Sequence, residues 1–390
     1  MITDSFKKDI VFALMKTSAG TLGKEKIGAA IELPPSPELG DYAFPCFLLA
    51  RKLEKSPAEI AVLLQKEIRL PVFVEKAIAV NAYLNFFIRK EKLAGQVISG
   101  ILKEKNFFGL SRRGKGKTIM IEYSQPNTNK PLHIGHLRNI ALAMALGNLL
   151  EFSGFRVVRA NLYNDRGIHI CKSMLAYRKW GKGSQPDAKP DHFVGKFYVM
   201  FGQRETGELK QEIQALLQKW EKKDKETIRL WRKMNQWAIR GFKETYRRFG
   251  SRFDVEYFES RLYDKAMPVI QDGLKKGVFE KTSEGAIVCD LDKFGLGKKT
   301  ILRADGTAIY ITQDLALAIQ KFREYRLDES LYVVGSEQNL YFRQLFRVFE
   351  LLGFPWAAKC RHISYELVLL PGGKLKSREG RVVDADELMD

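Results

Sequence analysis

Thr118-Ile-Met-Ile-Glu122 is followed by Tyr-Ser-Gln-Pro-Asn-Thr-Asn-Lys-Pro-Leu-His-Ile-Gly-His136 and then by the amphipathic stretch Leu137 to Phe152. This order predicts a buried strand over 118–122, a polar turn and a helix over 137–153. A helix N-terminus offers unpaired backbone N–H groups and the positive end of its dipole. A turn that places His133, Gly135 and His136 there is therefore suited to holding phosphates. A plain helix start that carries two histidines reads the same way. A metal site would need a third His or Cys ligand, and none lies at a recognised spacing. Strand 155–163 completes a βαβ unit, the seed of a parallel sheet.

Strand and helix patterns continue to alternate further along. Ala308-Ile-Tyr-Ile-Thr312 and Ser330-Leu-Tyr-Val-Val334 read as strands, 314–324 and 341–352 as helices, and Lys359 to Leu370 as a last strand region. These predict the second half of a doubly wound sheet, with ligands at the carboxyl ends of its strands. Residues from about 182 to 285 are charged and helical in period, with Trp231, Met234, Ala238, Phe242 and Tyr246 on one helix face. They read as an insertion between the two halves.

Residues 1–110 read as a separate small α+β domain, and 111–390 as the α/β domain. Phe6, Ile10 and Leu14 recur every fourth residue of a first helix. After the turn-rich Leu33 to Gly40, a second helix is expected near Asp41, carrying Phe44, Phe47 and Leu48 inward. Ser56-Pro-Ala-Glu59 is a capping box with proline at the first helical position. Leu84, Phe86 and Ile88 alternate as the buried face of a strand. The basic run Ser111 to Lys117 reads as a linker.

The chain has 390 residues and a net charge of +19, with 45% hydrophobic and 28% charged residues. That composition is globular, and the positive excess favours a polyanionic partner because each neutralised phosphate releases condensed counterions. Cys46, Cys171, Cys289 and Cys360 form no C-x-x-C pair, which argues against a zinc ribbon or a disulfide framework. No stretch approaches the roughly 20 apolar residues of a membrane span, and Met1 to Ser18 is amphipathic rather than a signal peptide. A cytoplasmic location is expected.

Several separated motifs coincide. Lys130-Pro-Leu-His-Ile-Gly-His136 and Lys374-Leu-Lys-Ser-Arg-Glu-Gly380, split by the insertion, resemble the two signature motifs of class I aminoacyl-tRNA synthetases. Ile121-Glu-Tyr-Ser-Gln-Pro-Asn127, Asp305 to Asp314, Val334-Gly-Ser-Glu-Gln338 and the Leu39-Gly-Asp-Tyr42 turn resemble the arginyl-tRNA synthetase family. The resemblance covers nearly the whole chain and implies a Rossmann-like class I synthetase catalytic domain behind an N-terminal tRNA-binding domain. Two departures stand out. Ser377 occupies a position where class I loops usually carry lysine, and Lys130 is placed to substitute. The chain stops at Asp390, before the helical anticodon-binding domain of the family, which is therefore expected to be absent.

The resemblance implies an arginine–tRNA ligase. Arginine would be activated by ATP to arginyl-adenylate and transferred to the terminal adenosine of tRNA(Arg), with Mg²⁺ carried by ATP. His133, Gly135 and His136 would hold ATP, and Lys130, Lys374, Lys376 and Ser377 would screen its phosphates. Asp314 would pair with the guanidinium beside Tyr310, and Glu122, Ser124, Asn127 and Gln338 would complete the arginine site. Asp314 as a simple N-cap of helix 314–324 is the plainer alternative. Asp165 lies near the same crevice with no assigned role. The expected partners are tRNA(Arg), L-arginine and ATP, with no membrane, and the chain is expected to be a monomer. A non-catalytic RNA-binding derivative, and an adenylyl transferase acting on a small metabolite, are the alternatives. Exchange of pyrophosphate into ATP separates all three.

Overall fold

The computed structural model describes residues 2–262, 265–306, 309–370, 373–374 and 383–390. The chain divides into two compact units, Met1–Leu110 and Ser111–Asp390.

The first unit contains α1 (Ile2–Leu14), α2 (Lys24–Ala30), β1 (Tyr42–Pro45), α3 (Phe47–Leu53), α4 (Pro57–Glu67), β2 (Val74–Val80), β3 (Tyr83–Ile88) and α5 (Lys90–Glu104). Its antiparallel sheet has the order β1-β3-β2. Phe6, Ile10 and Leu14 are buried, as their fourfold spacing predicts. The capping box closes α4: Ser56 N–H donates to Glu59 Oε2 at 2.9 Å and Glu59 N–H to Ser56 Oγ at 3.2 Å.

The helix expected near Asp41 is instead a strand. Asp41 N–H donates to the Phe86 carbonyl at 2.8 Å, and its carboxylate accepts from Ile88 N–H at 2.7 Å. Gly40 has φ 104°, and a Cβ there would sit 2.7 Å from that same carbonyl. The chain is thus committed to the edge of β3 before a helix can start. The helix begins only at Phe47, and Phe47 and Leu48 turn outward while Leu49 is buried.

The second unit is built on a five-stranded parallel sheet. It runs through β4 (Thr118–Glu122), α6 (Ile134–Phe152), β5 (Arg156–Tyr163), α7 (Ile168–Trp180), α8 (Pro190–Gln203), α9 (Gly207–Glu221), α10 (Lys225–Phe249), β6 (Val255–Phe258) and α11 (Met267–Lys275). A three-stranded antiparallel sheet follows, β7 (Glu280–Lys281), β8 (Ile287–Asp290) and β9 (Lys298–Leu302). Then come α12 (Tyr310–Tyr325), β10 (Glu329–Gly335), α13 (Asn339–Leu351), β11 (Cys360–Tyr365), the hairpin β12 (Leu369–Leu370) with β13 (Gly373–Lys374), and α14 (Ala385–Met389).

The main sheet has the order β11-β10-β4-β5-β6, so the connection crosses over at the β4/β10 boundary. Such a switch point leaves a crevice at the carboxyl ends of the two strands. Strand alternation explains the two cores. Ile119, Ile121, Leu331 and Val333 face one hydrophobic cluster, while Met120, Val158, Ala160 and Tyr332 face the other.

In this second unit two expectations change. The strand expected over 308–312 is the first turn of α12 where it is described; Thr307 and Ala308 lie outside the described residues. Ile309 N–H donates to Thr312 Oγ1 at 3.2 Å, and that hydroxyl donates to the Ile301 carbonyl at 2.5 Å. Thr312 thereby caps a helix start that its β-branched neighbours disguise. Asp314 is consequently inside α12, not its N-cap. The expected insertion, about 182–285, also contains β6, a strand of the main sheet, so its purely helical part ends with α10. A four-residue strand after a 25-residue helix is easily absorbed into the helical pattern.

Candidate active site

Strand β4 ends at Glu122 and passes into a turn in which Ser124 (φ 74°) and Gln125 (φ 50°) both take left-handed backbone. Each such non-glycine residue costs on the order of 1–3 kcal/mol, so the surroundings must impose the shape. They do so from neighbouring strands and helices. Ser124 N–H donates to Asn139 Oδ1 at 2.7 Å and Gln125 N–H to Asn161 Oδ1 at 3.1 Å. The Asn139 amide in turn donates to the Val333 carbonyl at 2.6 Å and to the Tyr365 hydroxyl at 3.0 Å. Ser124 Oγ and Tyr246 OH share a hydrogen bond of 2.6 Å, so this hydroxyl is engaged with α10. Asn127 bridges Asn164 at the end of β5.

Helix α6 opens three residues earlier than its apolar pattern, with His133 as its extended N-cap. Gly135 N–H donates to His133 Nδ1 at 3.1 Å, and His133 N–H donates to His136 Nδ1 at 3.1 Å. Both Nδ1 atoms are acceptors, so each neutral ring carries its proton on Nε2. Burial pushes His133 down to about 4, helped by Lys130, and holds His136 well below the ordinary histidine value. Two neutral N–H donors therefore stand at a helix N-terminus.

Lys130 and His133 line a cleft of about 230 Å³ with His192, Lys196 and Tyr198 of α8 and with Asp384. The helix reaches this turn because Gly195 leaves room: a Cβ there would lie 2.6 Å from Pro131 Cδ. From the other side, Ile134 N–H donates to the Val383 carbonyl at 3.0 Å and Ala385 N–H to the Leu132 carbonyl at 3.1 Å. Lys374 pairs through its backbone with Leu369; Lys376 and Ser377 lie outside the described residues.

The second group gathers at the β4/β10 crevice. Glu122 is buried, accepts from Gln125 Nε2 at 2.6 Å through Oε1, and pairs through Oε2 with Lys321 of α12. Asp314 accepts a hydrogen bond from the Tyr341 hydroxyl. Burial pushes Asp314 up to about 6, and the nearby Glu122 carboxylate adds to the rise. Tyr310 precedes Asp314 by one helical turn and is exposed, so the two share a face of α12. Gln338 is exposed in the 3₁₀ turn Ser336–Gln338 that leaves β10.

Asp165 accepts from Ser260 N–H at 2.8 Å and Ser260 Oγ at 2.7 Å, which fixes the loop after β6. It borders a groove of about 1240 Å³ whose walls include Trp220, Arg229, Trp231, Arg232, Lys233 and Arg261. Lys321, Tyr341 and Asn139 escaped the reading of the sequence. Lys321 had a signal, since it falls on the inward spacing of Leu317 and Ala318, where a solvated lysine does not belong. Among the described residues, no helix is long and apolar enough to cross a membrane.

The model for the catalytic domain of class I (R) tRNA synthetases matches residues 97–390, and that for the arginyl tRNA synthetase N-terminal domain matches 4–88. The chain is 48% identical over 372 residues to the arginine–tRNA ligase of Treponema denticola, covering 92% of this chain and 63% of that one. The Borrelia turicatae arginine–tRNA ligase is 40% identical over 402 residues, covering 98% of this chain and 68% of the relative. The arginyl-tRNA synthetase structure from Thermus thermophilus superposes with a TM-score of 0.69 at 26% identity, covering 100% of this chain and 69% of that one. The chain thus spans less than two thirds of the length of its Treponema relative. The chain belongs to the arginyl-tRNA synthetase family of class I aminoacyl-tRNA synthetases.

Proposed function

We propose that the chain carries the active site of an arginine–tRNA ligase. The observation that carries the reading is the pair of carboxylates, buried Glu122 and half-buried Asp314, at the switch point beside the His133/His136 turn. A guanidinium with five N–H donors calls for planar acceptors, and Asp314 presents one on the same helix face as the Tyr310 ring. Asn127, Ser124 and Gln338 stand around the ends of β4 and β10, where the amino and carboxyl groups of the amino acid would lie.

In the first step the arginine carboxylate attacks the α-phosphate of ATP and pyrophosphate leaves. In the second, a terminal hydroxyl of tRNA attacks the activated carbonyl and AMP leaves. Neither step needs a protein nucleophile, so rate would come from position and from donors aimed at developing charge. The Nε2–H groups of His133 and His136 are such donors, and both stay neutral throughout the physiological range. Gly135 would let the nucleotide approach the helix start, and it leaves room for the His133 ring, whose Cε1 would lie 2.9 Å from a Cβ there; Lys130 adds a cation beside the cleft. Lys374, Lys376 and Ser377 would complete the phosphate contacts. Mg²⁺ would arrive bound to the ATP phosphates, as an ion that dehydrates reluctantly usually does.

The cationic groove beside Asp165, together with the net charge of +19, supports an RNA partner, tRNA(Arg), approaching this face. A cytoplasmic location suits that partner. The test is exchange of labelled pyrophosphate into ATP with arginine, with and without tRNA(Arg). Arginine-dependent exchange stimulated by tRNA supports the reading. No exchange in any condition favours a non-catalytic RNA-binding chain, and exchange indifferent to arginine favours a different acyl substrate.

A further inference from the structure

Lys321 is fully buried in the C-terminal half of α12, an environment that a lysine enters only with strong compensation. Its ammonium pairs with Glu122 and lies 4.3 Å from the centre of the Tyr332 ring. Glu122 receives Gln125 on its other oxygen, so both of its oxygens are occupied before any ligand arrives. The charged groups around it are few. Asp314 and Lys321 face Glu122 from α12, while Lys299 of β9 and Glu259, in the turn after β6, face Asp314. Tyr257, Tyr332 and Tyr341, from β6, β10 and α13, are phenols that burial keeps neutral, and so is the Cys360 thiol of β11 beside Lys321. Two carboxylates in one buried site cannot both stay ionised without a cation.

We infer that Lys321 is a positioning residue for the substrate pocket, a resident cation that balances and holds Glu122 so that the charge of Asp314 is left to the entering guanidinium. The inference rests on the arginine reading above. It assigns the first carboxylate to a cation of the protein itself, and leaves Asp314 for the substrate. Without Lys321, the pair would hold one proton at neutral pH, and arginine would have to expel it on binding.

Two measurements on the full chain test this. Infrared difference spectra of the ligand-free protein at pH 7 should show one more protonated carboxyl in Lys321→Met than in the unmodified protein, where Glu259 already holds a proton, and Lys321→Met/Glu122→Gln should remove that addition. Calorimetry of arginine binding in two buffers of different ionisation heat should show close to one proton released by Lys321→Met and about 0.1 by the unmodified protein at pH 7. The KM for arginine should rise roughly tenfold or more, with the KM for ATP little changed, and Lys321→Arg should restore part of it. If Lys321→Met fails to fold, Lys321→Gln serves for the same readings. A purely structural lysine would lower stability without moving the carboxyl band or the proton count, and that result would overturn the inference. The infrared arm decides it even if the unmodified protein binds no arginine, a result that would count against the substrate reading instead.

Discussion

Asp314→Asn isolates the charge of the guanidinium acceptor, because asparagine keeps the side-chain shape and one oxygen for the Tyr341 hydroxyl. A charge-assisted hydrogen bond is worth about 1.5–3 kcal/mol net, and a bidentate carboxylate makes two with a guanidinium. Losing the charge and one of the two acceptors should cost about 3 kcal/mol, which at about 1.4 kcal/mol per decade is roughly a 150-fold rise in the KM for arginine. The assay is tRNA-stimulated pyrophosphate exchange, titrating arginine and ATP separately. The KM for ATP should stay within about twofold, since Asp314 lies at the β10 side of the crevice and not in the His133 turn. The pH profile gives a second reading. Burial raises Asp314 to about 6, so protonation below that value removes the acceptor charge. The KM for arginine in the unmodified protein should therefore climb as pH falls through about 6, and in Asp314→Asn this climb should vanish. Equal rises in both KM values, or an unchanged pH profile, would refute the assignment of Asp314 to the guanidinium.

Asn139→Ala removes the amide that joins the Ser124 turn to Val333 and Tyr365, and should lower the unfolding free energy by about 2–4 kcal/mol in urea titrations. Gly195→Ala pushes a methyl to within 2.6 Å of Pro131, so the shift of α8 should cost about 1–3 kcal/mol and raise the KM for ATP more than that for arginine. Glu259 is buried against Gln313, and burial raises it to about 8. Its folded value lies above its unfolded one, so the native state holds an extra proton between pH 4.5 and about 8, and stability falls as pH rises through that window. Glu259→Gln should flatten this decline, which melting curves at pH 5 and pH 8 will show; a parallel decline in both proteins contradicts it.

The parallel sheet was legible because β4, β5 and β10 are apolar runs that alternate between two cores, and because a histidine-bearing turn separates the first strand from its helix. What misled was local β-propensity. Tyr310-Ile-Thr312 has the composition of a strand, yet Thr312 spends its hydroxyl on the Ile301 carbonyl and opens a helix. Likewise Phe44, Phe47 and Leu48 carry helical spacing, while Gly40 and Asp41 bind the stretch from Tyr42 to Pro45 to β3. In the site, residues aligned along one stretch, such as His133 and His136, were readable. Partners brought together by the fold were not: Tyr341 meets Asp314 and Lys321 meets Glu122 from helices distant in sequence.

The left-handed turn at Ser124 and Gln125 also fixes when the site can come into being. Its shape depends on Asn139, and Asn139 depends on groups 194 and 226 residues further along. Contacts of such separation form late, since loop-closure entropy must be met before they contribute. A chain emerging from the ribosome would thus carry its nucleotide-turn sequence long before it could hold a nucleotide. The pocket should arise in one cooperative step when β10 and β11 dock beside β4, so partial folding yields no partial activity.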